Sequence, residues 1–181
     1  MKQKKKGPNM RQNRLFFGFV ALWLVLYAPL SQLGANERVF PPLEGELLSG
    51  DEVIFPADLS GSAYMVIMSF DRDQEAQIQS WIKAAKALPN NITLFEVALI
   101  GKVGGIARFF IKGGMRDMEQ YKSRKDKVMP FFGDADAIKA KLNITDISQI
   151  HAFLITKDGD IIWQDKGSYQ NQYRQLPDIN S

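Results

Sequence analysis

Apolar and polar positions alternate between two periods along this chain. YMVIMSF, Tyr64 to Phe70, is a continuous apolar run of the kind found in a strand buried on both faces. VIFP, Val53 to Pro56, reads as a short strand before it, with ADLSG as the turn between them. Asp71 follows the long run at once, and Gln74 comes three residues later, a spacing that predicts a capping box and a helix start. Ile78, Trp81, Ile82, Ala85 and Leu88 then fall on one helical stripe, while Gln77, Gln79, Lys83 and Lys86 face elsewhere. Pro89-Asn90-Asn91 ends the helix and ITLFEVAL, Ile92 to Leu99, is the next strand. A strand, a helix and a strand in succession predict parallel pairing through a right-handed crossover.

Beyond Leu99, Val103, Ile106, Ala107, Phe110 and Ile111 recur at three and four residues, which predicts an amphipathic helix, with Gly113-Gly114 as its stop. MRDMEQYKSRKDK follows, and it reads either as a solvated loop and helix face or as a docking surface for an acidic partner. VMPFF, Val128 to Phe132, predicts a short strand, and GDADAIKAKLNI a helix whose amino end favours Asp134 and Asp136. HAFLIT, His151 to Thr156, and DIIWQD, Asp160 to Asp165, form a hairpin about Asp158-Gly159. Gly167 breaks the strand before a last helix, Ser168 to Leu176. Trp81 and Trp163 each sit in a periodic apolar pattern and are expected in the core.

Charge changes this picture at the amino end. Six of the 23 basic residues precede the first acidic residue, Glu37, and the remaining 17 face 20 acids, so the body is mildly acidic and is not expected to bind nucleic acid. The basic stretch through Arg14 runs into LFFGFVALWLVLYAPL, Leu15 to Leu30, sixteen residues without a charge. Residues 1–35 are therefore read as a signal peptide or an amino-terminal membrane anchor, 36–50 as a linker leading into the fold, 51–176 as the folded domain and 177–181 as a tail. Both leader readings place the body outside the cytoplasm, in a periplasm-like compartment, soluble or tethered to the inner membrane; membrane contact is expected through the leader if it stays uncleaved. The chain has no cysteine, so the core alone must hold the fold and thiol chemistry is impossible.

FPADLSG, VMPFFGDADAIKAKLNI and FLITKDGDIIWQDKG together resemble the redoxin branch of the thioredoxin fold, over roughly Phe40 to Leu176. The resemblance implies an α/β, three-layer architecture with a central mixed sheet, a carboxy-terminal β-hairpin and an inserted helix. It places the two cysteines of the redox motif at Asp73 and Ala76, and the family's cis-proline at His151; all three are missing here. A narrower likeness is to assembly factors of mitochondrial ATP synthase and their bacterial relatives. It is carried by Gln77 to Trp81, by FPPLEG and by ARFFIKGGMR, which sits where those proteins carry a basic helix.

At the amino end of the first helix a thiolate would be stabilised by the helix dipole, but here Asp73 and Glu75 occupy that end, ionised and poorly nucleophilic. One histidine and scattered methionines do not make a copper site, and neither a metal nor a cofactor is expected. Ser69 lies on the buried run, so a triad with His151 and Asp71 or Asp73 is not on offer. His151 reads either as a strand residue bonded to a neighbouring carbonyl or as part of a polar recognition patch. The patch expected to bind a protein partner, a subunit of a membrane complex among the candidates, comprises Asp71, Arg72, Asp73, Glu75 and His151. Arg108, Lys112 and Arg116 form a secondary basic surface on the inserted helix. The overall expectation is a non-enzymatic, exported binding module; the alternative is a cysteine-free enzyme or small-ligand carrier using a crevice around His151.

Overall fold

The computed structural model describes residues 38–87 and 91–170. The long apolar run forms the centre of a five-stranded sheet because all seven of its residues, Ala63–Ser69 (β3), are buried. β3 pairs in parallel with Ile92–Leu99 (β4), and on its other side antiparallel with His151–Thr156 (β6). Val128–Phe131 (β5) adds in parallel to β4, and Ile161–Lys166 (β7) antiparallel to β6, giving the order β5-β4-β3-β6-β7. The hairpin turns at Gly159, whose φ of 95° is a conformation that glycine adopts without strain.

Side chains of β3 alternate between two cores. Tyr64, Val66 and Met68 join Phe55, Phe95, Phe153 and Ile138 on one face, where Phe55 stacks on Phe95 at 4.2 Å between centroids. Ala63, Met65 and Ile67 join Ile78, Trp81, Ile150 and Leu154 on the other. The latter face is covered by Glu75–Ala84 (α1), and the former by Ala135–Lys141 (α3). As expected, Trp81 is core: its indole Nε1 donates to the Gly167 carbonyl at 2.9 Å. Trp163 is half-buried and lies 6.0 Å from Trp81. Asp134 caps α3, its carboxylate accepting from the Ala137 N–H at 3.0 Å.

Three elements depart from the sequence expectation. The lead-in stretch contains a strand, Leu43–Glu46 (β1), antiparallel to Glu52–Phe55 (β2). LEGE has only Leu43 as a fully buried anchor, so its alternation was too short to register. The inserted helix, Gly105–Asp117 (α2), does not stop at Gly113-Gly114 but runs through both. Lys112 and Arg116 on either side are tied to Glu46 of β1, and those ties hold the turn that the glycines weaken. Ser168 to Gln170 are not helical, and the remainder of the expected last helix lies outside the described residues.

Candidate functional site

The amino end of α1 is built locally. Asp71 accepts from the Asp73 N–H at 3.0 Å while Gln74 Oε1 accepts from the N–H groups of Phe70 at 2.8 Å and Asp71 at 3.3 Å, a reciprocal capping box. The amide of Gln74 then donates to the Ile147 carbonyl at 2.7 Å, and Gln77 Oε1 accepts from the Ile150 N–H at 3.0 Å. Two glutamines on one helix turn thus fix the loop that leads into β6. Ile150 is fully committed, since its carbonyl accepts from the Gly167 N–H at 2.9 Å.

Above this helix start lies a crevice of about 360 Å³, bounded by β3, β4, α1 and α2. Its floor is apolar, from Ile78, Ala98, Leu99, Ile111 and Met115, and its polar rim comes from Asp71, Arg72, Glu75 and Gln120. Glu75 Oε1 accepts from Gln79 Nε2 at 2.6 Å. Among the described residues the Arg72 guanidinium has neither an ion-pair nor a hydrogen-bond partner, so a solvated cation stands at the lip of an apolar groove.

The expected residues are not all brought together. Asp71, Arg72 and Glu75 share the crevice; Asp73 sits in the 3-10 turn Arg72–Gln74 without lining it. His151 projects from the opposite face of the sheet, the face of Phe153 and Ile155, whereas the crevice lies on the face of α1. Its Nε2 donates to the Asp146 carbonyl at 2.8 Å, and its ring meets the edge of Phe70 at 5.7 Å. The histidine is therefore engaged within its own strand surroundings, and Phe70 stands between it and the rim. Ser69 is buried on the crevice side, so no serine–histidine arrangement forms.

Arg108, Lys112 and Arg116 do share one face of α2, and it is the face turned toward the body. Lys112 pairs with Glu46, Arg116 Nη2 contacts the same carboxylate at 3.0 Å while its Nε donates to the Leu48 carbonyl at 2.7 Å, and Arg108 lies 5.0 Å over the Phe132 ring.

Sequence reasoning missed a buried ionic cluster beside this crevice. Glu96 of β4, 1% exposed, accepts from the Tyr121 hydroxyl at 3.1 Å and from Arg124 Nη2 at 2.5 Å. Burial pushes the Glu96 carboxyl above its ordinary range, and Arg124 and Tyr121 pull it back down. The only signal for it in the chain was a glutamate inside an apolar strand. Among the described residues no buried side-chain nitrogen or oxygen lacks a partner, and no group of three or more histidines and carboxylates could hold a metal.

The strand order, the α1 crossover, the closing hairpin and the helix start over the crevice define an α/β thioredoxin-like fold with extra helices, here without any cysteine. No known family pattern matches the sequence, and no curated protein does. Solved structures do match. A putative electron transfer protein from Aquifex aeolicus VF5 superposes with a TM-score of 0.56 at 10% identity, over 76% of this chain and 91% of that one. BsSco, a member of the Sco family of cytochrome c oxidase assembly proteins, gives a TM-score of 0.50 at 13% identity, over 76% and 88%. At these identities the likeness concerns the fold. The chain is not a thiol-disulfide enzyme, because it has no cysteine to supply a thiolate.

Proposed function

We propose that this chain is an exported, non-enzymatic binding module that grips a polypeptide partner at the amino end of α1, in the role of an assembly or folding factor for a membrane complex. The observation that carries this reading is the unpartnered Arg72 at the rim of an apolar-floored crevice, at the site where thiol enzymes of this fold would place their sulfurs. A groove with an apolar floor and a cation at its edge suits a segment with an apolar anchor followed by a carboxylate. His151 enters the reading only indirectly, as the ring in contact with the far side of Phe70, which lines the crevice. Residues 1–35 deliver the domain to the outer face of the membrane and either remain there or are removed. Gln77 to Trp81 and ARFFIKGGMR support a kinship with ATP synthase assembly factors, and the Sco-like backbone belongs to a protein named for assembly of another respiratory complex.

A photoreactive side chain at position 72 in the membrane of origin tests the reading. A subunit of a membrane complex should be crosslinked there, and the Arg72→Glu/His151→Ala double variant should lose it in pull-down. Undiminished recovery of every partner by that variant would overturn the patch. The crevice volume also favours a second reading, a carrier of a small apolar molecule. Native mass spectrometry of the purified chain separates the two, since a carrier should retain a bound mass of a few hundred daltons.

A further inference from the structure

α2 is amphipathic in the reverse of the usual sense. Its cationic side, Arg108, Lys112 and Arg116, packs toward the body, while Ile106, Phe109 and Phe110 are 79%, 72% and 68% exposed. Ala107 and Gly114 border the same outward arc and are exposed too, so the first three turns present no charge to solvent on that side, Asp117 coming only at the end. No residue of the helix is fully buried. An exposed apolar face of this kind requires an occupant.

A second copy would set this helix and its charged surroundings against their own like, so charge disfavours that occupant. Residues 102–127 carry eight basic and three acidic residues, whereas the rest of the chain from Glu37 onward carries nine and seventeen. The apolar face thus belongs to the one segment past Glu37 in which basic residues outnumber acidic ones; in it Arg108 and Lys127 are exposed with no carboxylate partner among the described residues, while Lys102 and Lys122 pair with Asp134 and Glu119. That combination of aromatic and aliphatic side chains in a lysine- and arginine-rich surround is what an anionic lipid interface attracts. The sequence before the described residues agrees: the apolar run ends at Leu30, and the eight residues to Arg38 reach at most about 29 Å.

We infer that α2 is an interfacial helix, which seats Ile106, Phe109 and Phe110 in the headgroup–acyl boundary of an anionic bilayer. The inference rests on the leader reading proposed above, because the tether holds the domain within reach of the surface. A single weak anchor becomes stable when a second joins it.

The absence of native cysteine makes the test direct. The full chain, carrying one fluorophore at Ile106→Cys or at Lys157→Cys in the β6–β7 turn, is bound to vesicles of phosphatidylglycerol and phosphatidylcholine containing brominated lipid. Expected is quenching at position 106 and none at 157, with the quenching at 106 lost when Phe109→Ser and Phe110→Ser are added. Near-ultraviolet circular dichroism should be unchanged in that variant, as both rings are solvent-facing. A chain that floats with vesicles but whose 106 label stays open to aqueous iodide overturns the inference and leaves the leader reading standing. A folded chain that does not float overturns both. Shielding of position 106 without lipid also overturns it, in favour of self-association if the shielding grows with protein concentration, and of cover by residues 171–181 if it does not.

Discussion

Asp71 serves two masters: it caps the 3-10 turn before α1 and supplies charge to the crevice rim. The two roles separate by substitution. Asp71→Ala should destabilise by about 1 kcal/mol in urea titration, whereas Asp71→Asn keeps the cap and should cost less than half of that while altering partner binding. Glu96 and Arg124 form the other decisive pair. Arg124→Met leaves a buried carboxylate without its cation and should cost about 3–5 kcal/mol at pH 7. Burial raises the folded pKa of Glu96, so the folded state takes up a proton before the unfolded one does. The deficit of the variant should therefore shrink as pH falls below 7 and level off once Glu96 is protonated in folded wild type as well, which occurs above the ordinary 4.5. Asp146 behaves oppositely. The Ser148 hydroxyl first, then Lys166 and the Ser148 N–H, hold its carboxyl well below the usual 3.8. Its contribution is complete above that value and is lost as pH drops through the folded pKa. Denaturation curves of wild type and Asp146→Asn should accordingly converge on acidification below 3.8.

At the scale of elements, the sequence disclosed those whose signals are local. The Asp71–Gln74 box, the continuous β3 run and the Asp158-Gly159 turn each announce themselves within a few residues, and each element formed where its pattern lies. α2 shows the limit of that logic. Periodicity reports that a helix has an apolar stripe, but not whether the body or the solvent receives it; that was decided by Glu46, 66 residues upstream of Lys112. The Gly113-Gly114 pair was misread as a stop for the same reason. A Cβ at either glycine would meet no atom within 4 Å, and both lie inside the helix. Gly113→Ala and Gly114→Ala should each raise stability by about 0.4–1 kcal/mol, read as a higher melting temperature.

For the whole molecule, the thioredoxin-like topology was legible because it follows from the order of elements, and the candidate site only in part. Asp71, Arg72 and Glu75 are neighbours in sequence and remain neighbours in space, so the patch was visible as far as one helix turn reaches. His151 was placed with them by analogy with the family's proline position. Strand alternation sends its side chain through to the other face. Tyr121 and Arg124 reach Glu96 across 25 and 28 residues, a separation that no local pattern encodes. No helix among the described residues is long and apolar enough to cross a membrane.

The double grip of Glu46 on Lys112 and Arg116 has a consequence for motion. α2 has no fully buried side chain, so beside the apolar contacts of Ile111 and Met115 its fastening includes these two ion pairs, which mobile ions weaken while leaving apolar cores intact. Amide deuteration of residues 106–117 should accelerate between low and molar salt while that of β3 stays protected. The helix would then work as a latch on the body, loosened by salt.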